Sequence, residues 1–132
     1  LYTYVAAQLR ALRIKPKRIR RELFGEADDV TCLPGYPTDA ELRAYTLTVQ
    51  RGATTETCRA RADESILVAL ERAGLVIPSR CRSGACGLCM VKLLSGNVFV
   101  SPECDGRREA GKVFGYFHSC ATYPLSDCTV LL

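Results

Sequence analysis

The residues with the most chemistry to offer are cysteines, eight of them in 132 residues. Three, Cys81, Cys86 and Cys89, fall within Arg80-Cys-Arg-Ser-Gly-Ala-Cys-Gly-Leu-Cys89, with the spacing Cys-x4-Cys-x2-Cys, and Cys120 follows after 30 intervening residues. This spacing suits four thiolates holding a two-iron, two-sulfide cluster. Two irons bridged by sulfides form a flat rhomb, so their ligands must be spread around it rather than around a point. One loop wrapped about the rhomb supplies three thiolates, and Gly84 and Gly87 permit the tight turns and close backbone approach. Backbone N–H groups of such a loop can point at sulfur and stabilise an added electron. No carboxylate or histidine sits in the loop, so the expected chemistry is one-electron transfer without a catalytic acid or base.

Other chemistries fit the spacing less well. Cys86-Gly-Leu-Cys89 alone could be a redox Cys-x-x-Cys, but that motif belongs at a helix start, and the following Met90-Val-Lys-Leu-Leu94 reads as a strand. A four-cysteine zinc site usually presents two close pairs rather than a triple and a distant single. It would make the chain a zinc-stabilised binding module with a basic N-terminal segment. The radical-SAM triple has a shorter first gap. A disulfide framework belongs to secreted chains, and no basic-then-apolar leader opens this one.

The elements that must position the cysteines can be read around them. Tyr45, Leu47 and Val49 alternate with Thr46, Thr48 and Gln50 as a half-buried strand, Arg51-Gly52-Ala53 turns the chain, and Glu56 to Arg61 returns with Cys58 and Ala60 inward. Asp63 or Ser65 can cap a helix whose inward face is Ile66, Leu67, Leu70 and Ala73, with Gly74 as its stop. Met90 to Leu94 predicts a third strand, Ser95-Gly96-Asn97 a turn into Val98-Phe99-Val100, and Cys128 to Leu132 a final strand. Upstream, Val5, Leu9 and Leu12 at helical spacing predict an amphipathic helix over 2–12, stopped by Pro16. Ile19 to Phe24 follows, and 26–38 is loop-like, with two prolines, Gly35 and three acids.

The formal charge of +4 hides an asymmetry: residues 1–24 carry seven Lys or Arg against one acid, net +6, and the other 108 carry 11 basic and 13 acidic side chains, net −2. A boundary between two bodies is expected there. The basic run Arg13 to Arg21 lacks interleaved aromatics and reads at least as readily as a solvated or partner-facing surface segment, interrupted by Pro16, as it does as a nucleic-acid patch. An apolar share of 48% against 24% charged suits a globular domain rather than a disordered one. No apolar run approaches the roughly 18 residues of a membrane helix, so the expectation is a cytoplasmic protein with no membrane partner. The chain opens at Leu1 rather than Met, which predicts a processed product or a fragment.

The stretch Ser65 to Cys89, with Lys92-Leu-Leu-Ser-Gly-Asn-Val98 and Gly115-Tyr-Phe-His-Ser-Cys-Ala-Thr-Tyr-Pro-Leu-Ser-Asp127, resembles a plant-type ferredoxin domain. It is similar in particular to those at the C-terminus of bacterial flavin-dependent reductases of the phthalate dioxygenase reductase and vanillate demethylase reductase group. The resemblance spans about residues 42–132. It implies an α+β, β-grasp fold with one main helix, and Cys81, Cys86, Cys89 and Cys120 as ligands, the first two on one iron and the last two on the other. The family's fourth ligand precedes a Pro-x-Ser-Asp segment, matched by Pro124-Leu-Ser-Asp127, which favours Cys120 over Cys104 or Cys128. The ending Ile19-Arg-Arg-Glu22-Leu-Phe24 resembles the tail of the nucleotide-binding domain of the same reductases. The implied organisation is 1–24 as a helical remnant of that domain, 25–41 as a linker and 42–132 as the ferredoxin domain. FAD or FMN and NAD(P)H would then belong to a flavin reductase domain upstream or in trans, with an oxygenase or other redox protein as acceptor. The chain itself carries no Gly-rich nucleotide loop and no catalytic site of its own is expected; it would form part of an NAD(P)H-dependent iron–sulfur flavoprotein oxidoreductase.

Of the remaining cysteines, Cys58 and Cys128 read as small buried apolar residues, and Cys32 and Cys104 as loop thiols, reactive or tolerated. His118 invites a Rieske-like ligand reading, but such centres need two histidines on one iron and the chain has one. It is expected to tune the cluster's surroundings or to face solvent. Arg80 and Arg82 flank the first ligand, either as positive charge favouring the reduced cluster and contacting an acceptor, or as solvated loop charges.

Overall fold

The period-two stretch forms β1, Ala44–Arg51, with Leu47 and Val49 buried. It pairs antiparallel with β2, Thr54–Arg61, through a two-residue turn in which Gly52 takes a φ of +56°. A computed structural model describes residues 2–15, 18–19, 25–40 and 43–132. Next comes α2, Ile66–Arg72, capped by Ser65, whose hydroxyl accepts from the Val68 N–H at 3.2 Å. Its buried face is Ile66, Leu67, Ala69 and Leu70. Ala73, expected inward, is exposed instead, because the helix has ended at Arg72 and the chain lifts away. Gly74, at φ +82°, closes it with Gly74 N–H to Glu71 and Leu75 N–H to Leu70, a Schellman motif.

Strands β3, Met90–Ser95, and β4, Val98–Val100, follow, then α3, Glu109–Val113, β5, Tyr116–His118, β6, Thr122–Pro124, and β7, Cys128–Leu131. The main sheet runs β2-β1-β7-β3-β5. Only β1 and β7 are parallel, paired from Leu47↔Cys128 to Gln50↔Leu131; the other neighbours are antiparallel. The last strand in sequence is therefore central in space. Strand β4 does not continue the main sheet: with β6 it makes a second, two-stranded sheet. The sheet and α2 share a core of Leu47, Val49, Ile66, Leu67, Leu70, Val91, Phe117 and Val130. Cys128 is buried in it, as expected, whereas Cys58, also expected to be buried, is only partly so and packs against its edge.

The segment between the two expected bodies is not a loose tether where it is described. Val30, Tyr36 and Ala40 are buried with Ala62, Phe99 and Tyr123 in a second cluster, and the Tyr36 and Phe99 rings meet edge to face, centroids 5.3 Å apart. Upstream, α1 spans Tyr2–Ala11. It ends before Pro16 at Arg13, which adopts φ +54°, with Arg13 N–H to Arg10 and Ile14 N–H to Leu9. Val5 in the helix is exposed, and so are Leu12 and Ile14 just past its end. Pro16 and residues 20–24 of the expected ending lie outside the described residues. No described helix is long and apolar enough to cross a membrane.

Candidate metal centre

The loop between α2 and β3 carries Cys81, Cys86 and Cys89, and the 3-10 turn Ser119–Ala121 after β5 brings Cys120 to it. The Cys89 and Cys120 sulfurs lie 3.3 Å apart. Both are buried, as is Cys81, whereas Cys86 is exposed. Cys128, the alternative fourth ligand, is directed elsewhere: its thiol donates to the Ser126 and Asn97 carbonyls. Cys104 lies behind the loop, its carbonyl against Gly84.

Backbone N–H groups converge on these sulfurs. Ser83 and Cys86 donate to Cys81 Sγ at 3.5 and 3.4 Å, and Gly84 donates to Cys120 Sγ at 3.3 Å. Such donors favour thiolate over thiol, the form that binds metal. Burial pushes the Cys81 thiol up, but hydrogen bonds from the backbone and side chains of Ser83 and Cys86 together outweigh it and bring it down to about 6. Cys89 is drawn down to about 6 chiefly by its hydrogen bond with Cys120, against burial, with Ser119 and His118 adding to the pull. Cys120 is pushed up by the same partnership and by burial. Two thiolates this close repel, so without a cation between them the pair keeps one proton.

The loop's shape depends on Gly84. Its φ is +70°, and a Cβ there would stand 1.9 Å from the Cys104 carbonyl oxygen. Arg82, a non-glycine residue at φ +54°, is held by two carboxylates: it binds both oxygens of Glu71 at 2.9 and 2.8 Å and reaches Glu26 at 2.9 Å. Gly25 N–H donates to the Cys81 carbonyl at 3.0 Å. The reading of Arg82 as a solvated loop charge is thus corrected, since its guanidinium ties the loop to α2 and to the preceding segment. His118 is 5% exposed, which corrects the solvent-facing alternative; the strand pair Met90↔His118 sets it beside the loop.

Sequence reasoning missed three supports. Glu26 and Glu71 carry no local signal, being 56 and 11 residues from Arg82. Ser119 fixes Cys89 by donating both its N–H, at 3.0 Å, and its hydroxyl, at 2.9 Å, to the Cys89 carbonyl; only its place beside Cys120 could have suggested it. On the open side, Cys86 and the half-exposed Leu88 and Met90 form the loop's outer edge. A cleft of 410 Å³ lies there, lined in part by Cys86, Met90, Arg107 and His118.

Among the described residues no group of three or more His, Cys, Asp or Glu side chains converges on a single ion. A two-metal cluster asks for two ligands per metal instead. Four thiols, N–H groups already directed at two of them, and a buried imidazole Nδ1 without a partner make a donor set that fits a two-iron cluster.

A mixed sheet grasping one main helix, with a cysteine loop at its end, defines a β-grasp electron-carrier module. The chain belongs to the 2Fe-2S iron-sulfur cluster binding domain family, whose model matches residues 49–125, and its cofactor is the 2Fe-2S cluster. The heme-dependent oxidative N-demethylase beta subunit of Ectopseudomonas mendocina is 39% identical over 83 residues, 63% of this chain and 22% of the relative. The stachydrine N-demethylase reductase subunit of Rhizobium meliloti is 33% identical over 132 residues, covering 96% of this chain and 35% of the relative. Phthalate dioxygenase reductase, a solved structure described as modular for electron transfer from pyridine nucleotides to a 2Fe-2S centre, shares the fold. Its TM-score is 0.60 at 23% identity, over 96% of this chain and 37% of that one. The chain thus spans between a fifth and two fifths of the length of these proteins. Nothing in these likenesses supports the zinc alternative.

Proposed function

We propose that Cys81, Cys86, Cys89 and Cys120 ligate the cluster, the first two on one iron and the last two on the other. The observation that carries this is the convergence of the Ser83, Gly84 and Cys86 N–H groups on the Cys81 and Cys120 sulfurs. The cluster supplies one-electron chemistry, with plant-type centres working near about −400 mV. The protein's part is electrostatic and geometric. Amide dipoles directed at ligand sulfur stabilise the charge that reduction adds. Burial of Cys81, Cys89 and Cys120 keeps water from the inner side, and the exposed edge at Cys86 and Leu88 gives an electron a short path to a partner.

The wider role rests on the relatives. We infer that residues 1–24 are the closing helical piece of a nucleotide-binding reductase domain, 25–41 the connection and 42–132 the ferredoxin domain. The exposed Val5 of α1 and the exposed Leu12 and Ile14 just after it support this, as apolar residues left open to solvent among the described residues. Electrons would pass from NAD(P)H through FAD or FMN, upstream or in trans, to this domain and on to an oxygenase or another redox protein. The setting for such a chain is the cytoplasm. Serine substitution at each of the eight cysteines tests the ligand set. Changes at Cys81, Cys86, Cys89 and Cys120 remove or grossly alter the visible absorption, and changes at Cys32, Cys58, Cys104 and Cys128 leave it intact. An unaltered spectrum for Cys120→Ser would sink the assignment of the fourth ligand.

A further inference from the structure

His118 is buried to 5% exposure, and its Nδ1 has no hydrogen-bond partner. A neutral imidazole has one donor nitrogen and one acceptor, and a buried polar atom left without a partner costs about as much as a lost hydrogen bond. An orphan of this kind calls for a partner that joins the protein after it folds. His118 lies between the ligand loop and strand β3, and it lines the cleft shared by Cys86 and Arg107. It faces Met90 across the β3–β5 pair, and a Cβ on Gly87 would lie 4.0 Å from its Nε2. The next residue, Ser119, holds the Cys89 carbonyl through two hydrogen bonds, and Cys120 comes immediately after. The backbone that carries the ring is thereby held on both sides, at His118 by the sheet and at Ser119 by its bonds to a ligand residue. Thr122 Oγ1 donates to the His118 carbonyl at 2.9 Å and further anchors it.

Resting on the cluster reading above, we propose that His118 is a positioning residue whose Nδ1–H donates a hydrogen bond to a sulfur of the loaded site, stabilising the reduced state. Charge added on reduction spreads onto sulfur, so a donor there strengthens on reduction and raises the midpoint potential. The side chain carries no proton away and ligates no iron. The backbone donors already in place serve Cys81 and Cys120.

Because the chain has a single histidine, labelling with histidine that carries 15N only in the imidazole ring marks this side chain alone. The full chain, first shown to hold iron and labile sulfide, is reduced and examined by pulsed EPR for coupling between the cluster spin and 15N. A weak coupling, of hydrogen-bond size, is expected. His118→Leu, which removes the donor, should lower the reduction equilibrium constant about tenfold, a fall of about 59 mV for a one-electron couple. His118→Asn, which keeps an N–H near the Nδ1 position, should recover most of it. Absence of any 15N coupling overturns the proposal, as does a coupling as large as direct ligation, or equal potentials for the Leu and Asn variants. The labelling experiment decides even where a variant fails to fold. A preparation with no iron or sulfide would overturn the cluster reading itself, before any question about His118 arises.

Discussion

Two helices in this chain carry the same kind of pattern and meet opposite fates. Both α1 and α2 have apolar residues at helical spacing, and both end in a Schellman motif, α1 at Arg13 and α2 at Gly74. In α2 the residue after the left-handed position, Leu75, is buried with Leu70 beneath it. In α1 the equivalent Ile14 is 37% exposed, and Tyr4 and Leu12 are about two thirds exposed. Periodicity states which face of a helix wants burial; it does not state whether the partner lies in the same chain. The helix that finds its sheet becomes the support of the metal site, through Glu71 to Arg82, and the other presents a surface.

The contrast is sharpest at Leu70. Leu70→Ala removes a fully buried side chain and should lower stability by about 2–5 kcal/mol in denaturant unfolding, whereas Val5→Ala on α1 should stay within about 0.5 kcal/mol. Equal losses would mean that α1 is packed on the domain after all.

The tie between α2 and the loop comes next in size. Arg82→Ala should cost about 1 kcal/mol at neutral pH, the pair being partly exposed, and should speed release of iron to a chelator. The pH dependence has a definite sign. The Arg82 hydrogen bond holds the Glu71 carboxyl below its ordinary value. Its contribution is therefore complete above the unfolded value of about 4.3 and is lost as pH falls through the lower folded value. The gap between wild type and Arg82→Ala should close below about pH 4; a gap that widened there would contradict the clamp.

The two helix ends give the finest test. Gly74→Ala places a Cβ at φ +82° and should destabilise by about 1 kcal/mol. Arg13→Gly relieves the same conformation in α1 yet should leave the unfolding midpoint within error, because α1 does not share the core.

Much of this was legible in the sequence, and the rest was hidden for definable reasons. Strands β1 and β3 and helix α2 are long enough for their period to show, and the triple Cys81, Cys86, Cys89 stands out by spacing alone. Strands β5 and β6, three residues each, and the five-residue α3 are too short to carry a period. The central place of β7 and the separate β4–β6 sheet arise from long-range pairing, which leaves no local mark. Ala73 was misplaced because helical spacing continues past the true end of α2. The solvated alternative for Arg82 stayed open because its carboxylates are remote in sequence, and the burial of Tyr36 depends on Phe99, 63 residues on.

The most direct test of the central claim is the metal content of the protein as purified, measured with acid-labile sulfide and the visible spectrum. The account predicts a red-brown protein with about two irons and two sulfides per chain. A colourless protein holding one tightly bound zinc and no labile sulfide would contradict it.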